Sequence, residues 1–256
     1  SDLMTSCEMC GLGYFGNISE LLNCHLCPPG THQDMLGQAS CMPCIPGRFN
    51  TQFNQTTCKE CQVDTYSPLS SHDEVCVDCP NGYEASLQSS SSCTICAAGK
   101  AGTPCVGCLV GQFRGSNDSP TSCIDCPSGF YQGAEDSASC LACTPGQYQL
   151  GVGSTNCKVC DVGTFGNVSE LLDCHLCPPG THQDVSGQAS CLPCIPGRFN
   201  DQYDQTTCQE CSENTFSDQI KAITCKKCEV GTITFEKVGQ ASCQNCIAGR
   251  YGEECF

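Results

Sequence analysis

Fifteen Cys-x-x-Cys pairs run along this chain at a nearly constant step and take up 30 of its 31 cysteines. They open at Cys7, Cys24, Cys41, Cys58, Cys76, Cys93, Cys105, Cys123, Cys140, Cys157, Cys174, Cys191, Cys208, Cys225 and Cys243. From one opening to the next the numbering advances by 17 ten times and by 18 three times. The step falls to 12 twice, from Cys93 to Cys105 and from Cys243 to the lone Cys255. So regular a lattice predicts a tandem array in which function belongs to the repeat rather than to a pocket.

Cysteine at about 12 % of the chain exceeds the level that marks a disulfide scaffold. Thiols at that density stay oxidised outside the cytosol, so an extracellular or cell-surface, secreted location is expected. There is no tryptophan, and Gly, Ser, Thr, Asn and Pro fill the gaps between cysteines. Such a chain cannot build one large apolar core, and cross-links must replace the missing burial. The net charge is −16 with 11 basic residues and no basic cluster, which argues against a nucleic-acid partner. No apolar run reaches the ~20 residues of a membrane span. The opening SDLMTSCEMC lacks the basic and apolar segments of a signal peptide, so an excised stretch of a longer product is expected.

Two periods are nested. The short one is the module set by the cysteine step, clearest in CPPGTHQDMLGQASCMPC from Cys27 to Cys44. The second Cys of a pair is followed by Pro or a small residue, then Gly, then often an aromatic or Thr. Pro sets φ and Gly accepts φ > 0, so a tight turn is expected there. Short β-prone stretches such as Gly47-Arg48-Phe49 and Gly146-Gln147-Tyr148 predict small irregular hairpins and almost no helix.

The long period is a shift of 150 in the numbering, which lays Cys7–Cys61 on Cys157–Cys211 without gaps, identical at 41 of 55 positions. The expected organisation is a leader over 1–6, a first super-repeat over 7–156 and a second, incomplete one over 157–256. The first holds nine modules, with a short one at 93–107, and the second has its short module at 243–256. Each short module is expected to place a kink or seam in the array. In the first copy Cys105 leads to Cys108, whereas Cys255 is followed only by Phe256. A segment of a longer array, or an end completed by another chain, is therefore expected.

The spacing C-x2-C-x13-C-x2-C also occurs in zinc modules. An unbroken series of pairs, an acidic chain and N-glycosylation sequons all favour disulfides. Connectivity does not follow from sequence alone. One scheme fits the ends as well as the middle: the second Cys of each pair bonds the first of the next. It gives Cys10–Cys24, Cys27–Cys41, Cys44–Cys58, Cys61–Cys76, Cys79–Cys93, Cys96–Cys105, Cys108–Cys123 and Cys126–Cys140. It continues with Cys143–Cys157, Cys160–Cys174, Cys177–Cys191, Cys194–Cys208, Cys211–Cys225, Cys228–Cys243 and Cys246–Cys255. Cys7 is left unpaired or bonded outside the segment. Bonding within a pair, the competing scheme, closes a very small ring and suits redox catalysts.

The module CPPGTHQDMLGQASCMPC resembles the ephrin-receptor-like cysteine-rich repeat. It is similar more distantly to tumour-necrosis-factor-receptor and EGF-like cysteine-rich modules. The resemblance runs from Cys7 to Cys255 and is strongest in the modules opening at Cys24, Cys123, Cys174 and Cys225. It implies a small disulfide-rich fold, mostly irregular with short β-hairpins, arranged as an elongated tandem-repeat rod. It implies no activity, because such repeats serve in receptor ectodomains, adhesion proteins and flagellar-hair proteins alike.

Candidate functional residues are few. His25, His32, His175 and His182 lie in the two copies of CHLCPPGTH, and His72 stands alone. They read either as ligands or glycan contacts, or as surface residues retained by duplication. No base, orienting acid and nucleophile occur together, so no enzyme activity is expected and no catalytic, cofactor or metal residue is assigned. The sequons at Asn17, Asn54, Asn117 and Asn167 predict N-linked glycans, most strongly at Asn17 and Asn167, which share one place in the long repeat. Pro120 weakens Asn117, and Asn54 has become Asp204 in the second copy. Ser89–Ser92 are candidates for O-linked glycans. The acidic residues lack EF-hand spacing, so weak calcium association without a defined site is expected.

Aromatics recur after the module glycine: Phe15, Phe49, Tyr66, Tyr83, Phe113, Phe130, Tyr131, Tyr148, Phe165, Phe199, Phe216 and Tyr251. Each is expected to pack over its own disulfide; a stripe that docks a neighbouring chain is the sharper reading. The functional expectation is a structural extracellular protein, a glycosylated, disulfide-laddered segment that self-assembles into a filament or surface appendage of flagellar-hair or fibril type. Its partners would be further copies of the same chain. The alternative is a stalk or ligand-binding ectodomain segment of a cell-surface receptor or adhesion protein.

Overall fold

The computed structural model describes residues 8–17 and 23–250. Among them there is no helix, and 28 strands of two residues each pair into fourteen two-stranded sheets. Each hairpin starts from the turn that the sequence encodes. In the module opened by Cys27, Thr31 N–H donates to Pro28 O across Pro29 and Gly30, with Gly30 at φ 80°. That is the turn that needs positive φ at its third residue. Thr31–His32 then pairs antiparallel with Met42–Pro43, in register Thr31↔Pro43 and His32↔Met42. The ladder closes with Cys44 N–H donating to Gly30 O at 2.8 Å. The second copy repeats the arrangement with Thr181–His182 on Leu192–Pro193.

Two-residue strands hold because covalent bonds fix their ends. Fourteen bridges run from Cys10–Cys24 through Cys228–Cys243, each joining the second cysteine of one pair to the first of the next. Their sequence separation is 14 or 15, except for Cys96–Cys105 in the short module, where it is 9. A loop of ~15 residues contributes about 3 kcal/mol by chain-entropy estimates. Cys7 and the Cys255 half of Cys246–Cys255 lie outside the described residues, as do the leader over 1–6 and the aromatic Tyr251.

The core is sulfur and paired amide rather than hydrocarbon. The second cysteines Cys27, Cys44, Cys61, Cys126, Cys143, Cys160, Cys177, Cys194 and Cys211 are fully buried. A buried polar side chain recurs at the sixth position after the second cysteine: Gln33, Asn50, Ser67, Arg114, Gln132, Gln149, Gln183, Asn200, Ser217 and Thr234. Gln33 closes its own loop, donating from Nε2 to Ser40 O at 2.7 Å and accepting from Met35 N at Oε1. Asn50 reaches back into the preceding module, donating from Nδ2 to Thr31 O at 2.7 Å, and Asn200 does the same to Thr181 O. Buried polar groups are tolerated where they are satisfied in this way.

Neighbouring modules are sewn together by three backbone hydrogen bonds. Gly30 N–H donates to Asn50 O (2.7 Å), Gln33 N–H to Gln55 O (3.1 Å), and Asn54 N–H to Cys27 O (2.9 Å). In the second copy the same bonds join Gly180 to Asn200, Gln183 to Gln205, and Asp204 to Cys177. Contact also reaches the module after next. A Cβ on Gly30 would overlap the carbonyl of Ser71, and one on Gly180 that of Lys221. Ser71 and Lys221 themselves have left-handed φ of 58° and 62°. The glycine therefore serves its own turn and a close approach two modules away. Packing goes beyond the nearest-neighbour contacts expected of a simple array.

The short module is completed from the next one. Arg114 is buried at 1 % exposure. Its guanidinium donates to Cys96 O (2.5 Å), Ala97 O (2.7 Å) and Lys100 O (2.5 Å), carbonyls of the shortened loop. The chain divides by contacts into two compact units. One ends at Leu109 and takes in Phe113–Ile124 and Glu135–Ser139; the other holds Val110–Gln112, Asp125–Ala134 and the chain from Cys140 onward.

Candidate functional site

An open groove of about 540 Å³ is lined by Phe49, Lys59, Glu60, Gln62, Thr65 and Cys76. Two of its polar groups are already engaged: Glu60 pairs with Arg48 at 2.5 Å, and the Thr65 hydroxyl donates to Gln62 O. The more distinctive chemistry lies at the fifth position after the second cysteine, which is the second position of the first strand. Phe15, Phe49, Tyr66, Phe113, Tyr131, Tyr148, Phe165, Phe199 and Phe216 occupy it, all half-buried. Tyr83 and Phe130 stand one position earlier. Where a histidine stands opposite, the ring packs on it: Phe15 on His25 with centroids 5.4 Å apart, and Phe165 on His175 at 5.5 Å. Lys226 Nζ stands 6.0 Å from the Phe216 ring centre.

His32 and His182 take the same slot. Their Nδ1 atoms approach Cys58 Sγ at 3.3 Å and Cys208 Sγ at 3.2 Å. The sulfur belongs to the bridge of the following module, not to the module's own. Among the described first cysteines of pairs, Cys58 and Cys208 are the two that are buried. The five histidines thus divide into three environments. His25 and His175 are exposed against phenylalanine, and His32 and His182 are half-buried against a disulfide. His72 is half-buried with Nε2 3.3 Å from Val75 O.

All four sequon asparagines are exposed. Asn17 and Asn167 lie just past the strands Tyr14–Phe15 and Thr164–Phe165. Asn117 precedes Asp118, whose Oδ2 accepts from Gly115 N at 2.8 Å. Asn54 has a packing duty of its own. It holds φ 60°, and its Oδ1 lies where a Cβ on Gly13 would sit. Asp204 holds φ 61° and turns the same oxygen to Gly163. The shared oxygen explains why Asp replaces Asn there although the sequon is lost. Of Ser89–Ser92, Ser91 and Ser92 are exposed, while Ser90 donates to Leu87 O at 2.6 Å.

Sequence reasoning missed the buried sixth position, including Arg114. Its signal was a polar residue at a fixed offset after each glycine, Gln, Asn, Ser or Arg, which reads as ordinary loop composition. It also missed the second-neighbour contact, which brings Gly30 to Ser71 across an intervening module and has no local signature.

The family described as tyrosine-protein kinase ephrin type A/B receptor-like matches residues 13–54, 115–160 and 163–204. These segments cover about half of the chain. The chain belongs to this ephrin-receptor-like family. No individual curated protein matches it. The stretches between and after the three segments carry the same hairpins and bridges but depart in detail. They hold the shortened loop Cys96–Cys105, and Asp64 and Asn214 replace the turn glycine at φ 60° and 56°. Ephrin-receptor-like repeats are structural or ligand-binding modules, which directs attention to surfaces rather than to catalysis.

Proposed function

We propose that this ephrin-receptor-like array works outside the cell as structural material, assembling with further copies of itself into a filament or surface appendage. The observation that carries this reading is the repetition of exposed side chains along with the buried ones. Packing explains why Gln33 and Gln183, or Asn50 and Asn200, agree between copies. It does not explain Ile45 and Ile195 at 62 % and 61 % exposure, or Leu26 and Leu176 at 45 % and 51 %. Identical exposed apolar residues one long period apart suit a partner that is itself periodic. The high cysteine content and the ladder of bridges support an oxidising compartment. N-linked glycans at Asn17 and Asn167 fit the same surface, since both asparagines are exposed. The reading involves no catalysis, nucleic acid or resident cofactor. Among the described residues, no helix is long and apolar enough to cross a membrane.

The family match favours a second reading, a stalk or ligand-binding segment of a cell-surface receptor or adhesion protein. Sedimentation and negative-stain imaging of the oxidised, glycosylated chain over a concentration series separate the two. Filaments that are lost in Ile45→Ser/Ile195→Ser, with hydrogen exchange of the modules unchanged, support self-assembly. Monomers at every concentration refute it.

A further inference from the structure

The two copies of the long repeat share a scaffold but carry opposite charge at two neighbouring modules. Between Cys61 and Cys79 the chain holds Asp64, Asp73, Glu74 and Asp78 with no Lys or Arg, a net −4. The matching stretch between Cys211 and Cys228 sets Lys221, Lys226 and Lys227 against Glu213 and Asp218, a net +1. One module earlier the sense reverses. Over 45–60, Arg48 and Lys59 against Glu60 give +1. Over 195–210, Arg198 against Asp201, Asp204 and Glu210 gives −2. We propose that these two modules dock a second copy of this chain displaced by one long period, so that 45–78 of one copy lies against 195–227 of the next. The inference rests on the self-assembly proposed above and adds to it which modules meet.

Three observations carry this. First, the modules are built alike, so the reversal belongs to the surface and not to the fold. Ser71 and Lys221 both hold left-handed φ, and both donate N–H to the second cysteine of the preceding pair, Cys44 and Cys194. Asp78 and Lys227 stand opposite Thr65 and Thr215 in the same hairpin register. Second, the charges face solvent. Asp73, Glu74, Asp78, Lys221 and Lys227 are exposed. Among the described residues, the one ion pair within either stretch is Lys226–Asp218 at 3.0 Å. Third, a single displacement serves charge and apolar residues together. The shift that sets Asp78 against Lys227 also sets exposed Ile45 beside exposed Ile195.

Other alignments do worse. Unshifted parallel chains set −4 on −4, and like charge across an interface is costly. Running one chain the other way keeps one charged pair of modules and loses the second. The displaced contact uses a different patch on each chain, so every addition leaves one patch of each kind unfilled and growth stays open. Exposed ion pairs are individually weak, which leaves the isoleucines to supply adhesion and the charges to select the alignment.

The test is a charge swap in the full oxidised chain. Lys221→Glu/Lys227→Glu makes both modules acidic, and Asp73→Lys/Glu74→Lys/Asp78→Lys makes both basic; neither touches the Lys226–Asp218 pair or a buried group. Sedimentation over a concentration series is the readout, with hydrogen exchange to confirm that the modules stay folded. The parent should assemble, less readily at raised salt. Each variant alone should need about tenfold more protein or fail to assemble. An equimolar mixture of the two should assemble like the parent, because each supplies the charge the other lacks. In a mixture of isotope-labelled and unlabelled parent, carbodiimide should join Lys227 of one copy to Asp73, Glu74 or Asp78 of another. A parent that stays monomeric overturns the self-assembly reading and this contact with it. Lysine-dependent binding of a sulfated polysaccharide by such a monomer would give the basic module a different partner. If the parent assembles, three results overturn this contact alone: a variant that matches the parent, a mixture that does not recover, or a particle that closes at two chains.

Discussion

Replacing Arg114 with methionine tests whether the short module is held from outside. In the parent, three carbonyls of that module, Cys96, Ala97 and Lys100, receive the guanidinium at 2.5, 2.7 and 2.5 Å. A hydrogen bond to a charged group contributes about 1.5–3 kcal/mol, and a carbonyl left buried without a partner costs about 1–3. Methionine roughly fills the volume but donates nothing. Against those losses stands the relief of no longer burying a cation, several kcal/mol in its own right. A net local loss of about 3 kcal/mol is the expected balance, a factor of roughly 150 in the local opening equilibrium. Global melting is a poor assay because the bridges survive it, so the measurement is amide exchange by mass spectrometry under oxidising conditions. Protection should fall by that factor in the peptides spanning 96–108 and 111–118, and stay within a few-fold beyond two modules. Arg114→Lys should recover only part, since one ammonium cannot fork across three carbonyls. Unchanged protection in Arg114→Met, or a loss spread evenly over the chain, would refute the view of Arg114 as the brace of the short module.

Gly180→Ala and Gly231→Ala separate turn strain from packing. Both glycines have positive φ, 81° and 86°, costing alanine about 1–2 kcal/mol, but only Gly180 has a carbonyl in the way, that of Lys221. Exchange should rise around Lys221 in Gly180→Ala, while Gly231→Ala shows only the local strain; equal effects would dismiss the second-neighbour contact. Asn200→Asp keeps the shape but loses the Nδ2 donor to Thr181 O, so a loss of about 1–3 kcal/mol is expected in the exchange protection of 181–194; no change would mean that the backbone bonds alone join the modules. Peptide mass spectrometry of secreted protein should find N-linked glycan on Asn17 and Asn167, and bare asparagine at both would remove the shared-sequon reading. The Lys226 ammonium, hydrogen-bonded to Asp218 at 3.0 Å, holds the Asp218 carboxyl below its usual range. Its small stabilisation is therefore present above the unfolded carboxylate pKa and lost as pH falls through the folded value. An NMR titration that places Asp218 at or above the ordinary carboxylate range contradicts this pairing.

The residues that make each module were legible because their causes are local. Cys-Pro-Pro-Gly-Thr at Cys27 announces a turn with positive φ at Gly30, and the short β-prone run after it can only be a hairpin strand. The bridge Cys96–Cys105 follows the same logic, since a shortened step still closes a hairpin from Lys100–Ala101 to Val106–Gly107. What joins modules was not legible. Gln33, Asn50 and Arg114 look like loop residues, and their burial depends on chain from outside their own turn. The histidine slot was half legible: duplication of CHLCPPGTH drew attention to His32 and His182. Their partners Cys58 and Cys208, in the bridge of the following module, emerge only when the modules stack.

Second-neighbour packing also changes what a mutation can do in this chain. In an array with nearest-neighbour contacts alone, a damaged module frays by itself and weakens two interfaces. Here Asn54 donates its N–H to Cys27 of the preceding module while its side-chain oxygen packs against Gly13, one module further back. Loss of one turn therefore disturbs three modules joined at a single point. The bridges keep each hairpin closed meanwhile, so disorder is confined to the junctions. Stability in this protein is thereby split between covalent bonds that hold each module and weak bonds that set its neighbours. Exposed residues such as Ile45 and Ile195 ride on the second kind. On the proposed reading, a partner copy that reads their repeat reads the junctions as well, so junction variants such as Gly180→Ala should weaken the proposed assembly without touching an exposed side chain.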